Sequence, residues 1–307
     1  MSLSEFLSRL RAMDWDPLHW LVATLRIMGK SLSRLWGRDV MLYVGGVSFF
    51  ALLAAFPAIV ILIGLYGMLA DPQVAERQMD MLAQFMPAAS RELFHAEMVR
   101  IAAAPLRVSA QSGLALVIGI YAAHRGFKAL LAGLSFIHDE HLPRGFLGFN
   151  VMALIVLVAA FAMLALLSGA FLFLRLIGAT LGLEPLAGAP WLFSEWTWAS
   201  LGLTLSMTLI YRFAMSSEPV IWRASMIGGL SAAALCLGAS WASAIYVDQI
   251  SPLGATYGSI AAVVVFLIWL SWNVNAVFLG GALATEIEIA LHAGKFANLP
   301  DGDEAGC

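Results

Sequence analysis

Residues 151–174 read VMALIVLVAAFAMLALLSGAFLFL, an unbroken apolar run that carries no charge. At 1.5 Å per residue a helix of this length is about 36 Å long, enough to cross a hydrocarbon core ~30 Å thick. Neither the two-residue alternation of a half-buried strand nor the polar stripe of a soluble amphipathic helix is present. The run is a transmembrane helix, and it sets the class of the chain.

Five more runs of the same kind flank it. With the quoted run extended to 148–175, the predicted spans are 41–69, 108–124, 148–175, 196–214, 224–247 and 258–285. The first is expected to kink at Pro57. Composition agrees: 61% of residues are hydrophobic and 12% charged, against about 25% charged in soluble domains. The expected fold is all-α, a polytopic membrane protein of six transmembrane helices. Only Ser216-Ser217-Glu218-Pro219 separates the fourth and fifth spans, which makes them a hairpin. A Gly/Pro-rich connection with Trp191, Trp196 and Trp198 precedes the fourth and reads as an aromatic belt.

Charge gives the orientation. Twelve of the 17 Lys and Arg fall before the first span, after the second, between the fourth and fifth, or in the tail. The other five are in 71–107 and at Arg175. The positive-inside rule then places both termini in the cytoplasm, in agreement with an even number of spans. The first forty residues hold six basic residues but no apolar core of a signal peptide, so insertion is expected to start from the first span.

The predicted organisation is a cytoplasmic N-terminal segment (1–40), a membrane domain (41–290) and a tail (291–307). Within 17–36, Leu18, Leu21, Leu25, Met28, Leu32 and Leu35 form one stripe, and Arg26, Lys30, Arg34 and Arg38 another. Such a helix either lies on an anionic leaflet or packs against the bundle. Residues 71–107 read as a small helical cap on the outer side, broken at Pro87, with Ser90 as an N-cap and Pro105 as a stop.

Candidate site residues come from what is costly in a membrane. Asn273 and Asn275 lie inside the sixth span beside Trp269, and two residues apart they face different directions. One is expected to bond a neighbouring helix and the other to face a pathway. Gly228, Ala232, Cys236, Ser240 and Ala244 recur every four residues, a small-residue stripe for close helix packing within the bundle or with a second copy. His124, Arg125 and Lys128 close the second span, where Arg125 and Lys128 suit lipid phosphate. Arg175 at the outer end of the third suits headgroups. Glu286 ends the sixth span on the cytoplasmic side. His124, Glu286 and Asp248 are the titratable groups nearest to membrane depth.

His138-Asp139-Glu140-His141 lacks the spacing of a metalloprotease helix and reads as a solvated loop, not a metal site. Cys236 and Cys307 make no disulfide framework. The chain offers no nucleophile elbow, phosphate-binding loop or metal cluster, so neither catalytic activity nor a cofactor is expected. Its basic residues follow topology and do not form a nucleic-acid groove. The expected partners are membrane lipids with anionic headgroups.

Some of these segments are familiar. GGVSFFALLAAFPAIVILIGLYG (45–67) resembles the opening helix of the YihY/BrkB family, with Phe49, Phe50 and Pro57 in place. The C-terminal third resembles it more closely. It holds Tyr211-Arg212, Trp222-Arg223, Gly228, Tyr246, Tyr257-Gly258-Ser259, Trp269, and Gly280 to Glu286 in the family's order. The likeness covers about residues 35–290. One departure is that Ala214-Met215 follow the Tyr-Arg-Phe segment, and the proline comes later, at Pro219. The resemblance implies a bacterial inner-membrane protein of six spans. A ribonuclease label used for some members finds no nuclease site here. It also implies a transporter or exporter of a lipid-like envelope compound, with a membrane scaffold and a membrane-bound hydrolase as the other readings.

Overall fold

A computed structural model describes residues 17–36, 39–69, 87, 91–92, 95–96, 110–139, 145–180, 194–247 and 260–296. Seven helices follow one another: α1 (Pro17–Trp36), α2 (Met41–Leu69), α3 (Ala110–Ile137), α4 (Phe146–Thr180), α5 (Glu195–Phe213), α6 (Trp222–Ile245) and α7 (Ala261–Phe296). Among the described residues all regular structure is helical. Three helices are long and apolar enough to cross a membrane by length and composition alone: Phe146–Phe171, Trp222–Ile245 and Ala261–Ala293. Large apolar side chains are half or more exposed around α3, α4 and α6, including Val117, Val158, Leu166, Leu230 and Trp241. That much apolar surface belongs in lipid. The chain is a polytopic helical membrane protein.

The predicted segments align with α2 to α7, but two of them run on: α7 continues from the expected end at 285 to Phe296, so that Glu286 lies inside the helix, and α3 is longer too. The second span was expected to end at 124 and give way to a loop, but α3 runs on to Ile137. No proline stands between 125 and 137, and Leu130, Leu131, Leu134 and Ile137 bury one face there. His124, Arg125 and Lys128 therefore sit inside a helix and not at its end. The outer cap (71–107) lies almost wholly outside the described residues; there, the Arg91 N–H donates to the Pro87 carbonyl at 3.0 Å. Asp248 and the Tyr257-Gly258-Ser259 entry also lie outside them, as does the side chain of Arg175.

Helices α2 to α7 form a closed ring. Each packs on the next in the chain, and α7 closes on α2. Two contacts are tight because glycine removes a side chain where backbones approach. On α3, Gly119, Gly126 and Gly133 recur every seven residues. A Cβ on Gly119 would lie 2.1 Å from Pro57 Cβ, one on Gly126 3.3 Å from Phe50 Cβ, and one on Gly133 3.1 Å from Tyr43 Cβ. On α6, a Cβ on Gly228 would lie 2.7 Å from Ala284 Cβ and 2.8 Å from the Gly280 carbonyl of α7. Its neighbour Gly229 meets Thr208 of α5, so two adjacent glycines set α6 between α5 and α7.

The main apolar core occupies one end of this ring, called here the proximal end. It takes Leu35 of α1, Val40, Val44 and Val47 at the start of α2, and Leu130 to Ile137 at the end of α3. Ala153 and Val156 of α4, Ile210 and Tyr211 of α5, Ala224 and Ala232 of α6, and Val274 to Ala284 of α7 complete it. Toward the distal end, Val265 of α7 and Ser243 of α6 are also buried.

Helix α1 lies across the proximal end. It bends by 73° from α2 and packs on α7. Ser31 and Leu35 are buried, whereas Leu25, Met28 and Leu32 of the predicted apolar stripe stay exposed. One face of α1 thus meets the bundle, as the packing reading expected, while these three residues of the stripe are exposed.

Candidate functional site

The polar groups at the proximal end fasten elements that are far apart in sequence. Helix α3 ends at Asp139, in the left-handed region (φ 56°) that a helix C-terminus commonly uses and that Asp tolerates. That end leaves carbonyl groups unpaired and disfavours a negative charge. Arg34 of α1 answers both needs. Its Nη1 donates to the Ile137 carbonyl at 3.1 Å and to Asp139 Oδ2 at 2.6 Å, and its Nε donates to Glu286 of α7. Burial pulls the Arg34 pKa down, the hydrogen bonds and charges of Glu286 and Asp139 push it up, and the net direction is up. One guanidinium thereby joins α1, α3 and α7.

A second set lies beside it. His138 Nδ1 is 3.1 Å from Thr285 Oγ1, and its Nε2 is 3.7 Å from Glu288 Oε2. Glu288 Oε1 accepts the Ile221 N–H at 2.9 Å, at the start of α6, where a helix favours an anion. Glu286 and Glu288 are both buried. On α5, the Tyr211 hydroxyl donates to the Val277 carbonyl of α7 at 2.6 Å. Arg212 donates to the Val220 carbonyl and lies 4.6 Å from the Trp222 ring centroid. Ser135 of α3 donates to the Met215 carbonyl at 2.9 Å. The expected solvated loop at His138 and Asp139 is thus part of a partly buried ionic seam.

The other sequence candidates separate into groups. Asn273 and Trp269 come together on α6: Ser240 Oγ is 3.2 Å from Asn273 Oδ1 and accepts the Trp269 Nε1–H at 3.1 Å. Asn273 Nδ2 donates to the Trp269 carbonyl at 2.8 Å. Cys236 Sγ faces the Asn273 carbonyl at 3.7 Å, and Ala232 Cβ fills the space beside Gly280. Of that stripe, Ala244 is only half-buried. Asn275 lies elsewhere: its Nδ2 donates to the Ser271 carbonyl at 2.8 Å, and its buried Oδ1 has no partner. Nearby, Ser271 bonds Ser48 of α2 at 3.3 Å.

Arg125 and Lys128 diverge around α3. Arg125 is exposed and lies 5.6 Å from the Phe50 ring centroid of α2. Lys128 turns to α4, where Nζ donates to Asn150 Oδ1 at 2.8 Å and sits 5.2 Å from the Phe146 ring centroid. His124 Nε2 is 3.2 Å from the Asn150 carbonyl.

Next to the proximal core is an apolar cavity of about 220 Å³ between α2, α3 and α4. Ala51, Ala54, Ala55, Pro57 and Ala58 form one wall, Gly119, Ile120, Ala123 and Phe127 the second, and Leu157 and Phe161 the third. Sequence reasoning missed both the cavity and the seam. Alanine spacing in α2 and the seven-residue glycine repeat in α3 were available signals, but Arg34 and Glu286 are 252 positions apart. Among the described residues no group of three or more His, Cys, Asp or Glu is placed to hold a metal ion.

This architecture defines a polytopic helical membrane protein with one packed, ionically sealed end. The family model described as virulence factor BrkB matches residues 31–302, and the chain belongs to that family. It is 25% identical over 259 residues to "Putative ribonuclease-like protein YfkH" of Bacillus subtilis (strain 168), covering 83% of this chain and 90% of that one. It is 34% identical over 107 residues to "UPF0761 membrane protein Bxeno_A3061" of Paraburkholderia xenovorans (strain LB400), which is 33% of this chain and 24% of that protein. No solved structure matches.

Proposed function

We propose that this BrkB-family protein is a transporter of an amphiphilic, lipid-like compound in a bacterial inner membrane. In this reading α2 to α7 are six spans, both termini are cytoplasmic, residues 71–107 cap the outer side, and the proximal end is the closed cytoplasmic gate. The observation that carries it is the ionic seam that joins α1, α3, α6 and α7 at the proximal end. A transporter needs a gate that closes one end of the bundle, and the crevice between α2, α3 and α4 adjoins that end with Ile120 and Phe161 exposed at its mouth. The seam suits a gate, because its buried charges are satisfied only while α1, α3, α6 and α7 stay together. The apolar walls of the cavity suit an alkyl chain.

The test is flux in proteoliposomes, using a fluorescent phospholipid and its reduction by a membrane-impermeant reagent. Wild-type protein is expected to move label between leaflets, and Arg34→Gln and Glu286→Gln to change the rate several-fold. Purified protein that moves none, with variants indistinguishable from wild type, overturns the reading. For topology, Cys307 in spheroplasts is expected to react with an impermeant maleimide only after permeabilisation. Labelling of intact spheroplasts contradicts a cytoplasmic C-terminus.

A further inference from the structure

Two cations near the proximal end are treated differently. Arg34 has two carboxylates. Lys128 has an amide and an aromatic ring, and no carboxylate among the described residues. Lys128 lies nine residues before the end of α3, about 13 Å along the helix axis from Ile137. A charge at that depth is costly unless something of opposite sign meets it.

What lies next to it is apolar and open. Phe127, its neighbour in sequence, lines the cavity of about 220 Å³. Leu157 lines it from α4, seven residues from Asn150, so the two share a face of α4 about 10 Å apart along the axis. Lys128, Asn150 and His124 thus stand at the proximal end of an alkyl-sized crevice. Lys128 spends one ammonium proton on Asn150, and its remaining donors suit phosphate oxygens. The Phe146 ring beside it is exposed.

We infer that Lys128, Asn150 and His124 with the α2–α3–α4 crevice form a binding site for an anionic phospholipid. The phosphate pairs with Lys128, and one acyl chain enters between Ala54, Ala123 and Leu157. The alanines keep the crevice open, and bulkier side chains there would fill it. Arg125 takes no part, since it lies against Phe50 on another face of α3. The site goes beyond the transport reading and does not rest on it.

Photo-crosslinking tests it. Full-length protein in vesicles of phosphatidylcholine is given a trace of phosphatidylglycerol or phosphatidylcholine with a diazirine in the acyl chain, and the labelled peptides are mapped. Phosphatidylglycerol is expected to label residues 120–127 and 157–161 in preference to phosphatidylcholine. Lys128→Gln is expected to cut that labelling about tenfold, the effect of losing one charge-assisted hydrogen bond, while Lys128→Arg retains it. Ala123→Phe blocks labelling by both lipids. Equal labelling by the two lipids, or a Lys128→Gln protein that keeps its thermal stability and its labelling, overturns the site. If the label maps as expected and the protein moves no lipid, the transport reading fails and the site stands.

Discussion

Arg34 meets three needs at once: an exposed helix terminus, an anion at the wrong end of a helix, and a buried glutamate. Removing one partner of a buried pair leaves an uncompensated charge and costs about 3–5 kcal/mol, whereas replacing both with apolar groups is often neutral. Glu286→Ala is therefore expected to lower stability by about 3 kcal/mol and Arg34→Met/Glu286→Leu by much less, both measured by thermal unfolding in detergent. Equal losses in the two proteins would show that the charges themselves are not what matters. Asn275 offers a contrast. Its sequence neighbour Asn273 is engaged through Ser240, while the buried Asn275 Oδ1 is unpartnered. That the two asparagines differ was legible from their spacing. Which helix each meets was not, because it depends on how α6 and α2 flank α7.

Among elements, helices in lipid gain little from burying apolar surface and depend on close packing. The glycines therefore fix positions in the bundle. Gly228→Ala forces a methyl onto Ala284 and the Gly280 carbonyl and is expected to cost about 1–3 kcal/mol. Gly238→Ala, in the same helix with nothing within 4 Å, is expected to be neutral or slightly stabilising. Unfolding followed by tryptophan fluorescence distinguishes them. The α6 stripe could be read from sequence because its period matches one helix face. The end of α3 was misplaced because hydropathy weighs charges: His124, Arg125 and Lys128 resemble the end of a span, and the helix-forming residues behind them carry no such mark. Two readings of α1 stood open because an amphipathic pattern does not say whether protein or lipid covers its apolar face.

For the whole molecule, the packed and ionically joined proximal end of the helix ring is the property from which the proposed function follows. If the proximal end opens during transport, holding it shut must stop flux without unfolding the protein. His138 and Thr285 face each other at 3.1 Å. A His138→Cys/Thr285→Cys protein joined by a short bifunctional thiol reagent is expected to lose flux, while a longer, flexible reagent restores part of it. Undiminished flux in the joined protein would place the moving parts elsewhere. The polytopic helical class and the order of helices α2 to α7 were legible from composition and run length alone. The filling of the ring was not, since it depends on which faces meet at each level, and hydropathy reports only how apolar a helix is.

The span from Arg34 to Glu286 also has a consequence in time. A ribosome adding about 5–20 residues per second needs roughly 10–50 s to make the 252 residues between them. Throughout that interval α1 waits without the acid that holds it, and the shared core lacks Phe278, Ala282 and Ala284. The nascent chain thus completes its seal only with α7. A chain stopped at residue 270 is expected to be degraded rapidly by membrane proteases, and one stopped at 296 to persist, as pulse-chase labelling would show. Equal lifetimes would mean that the earlier helices hold together without α7. Otherwise, the contacts that fasten α1 to α7 also protect the earlier helices from degradation.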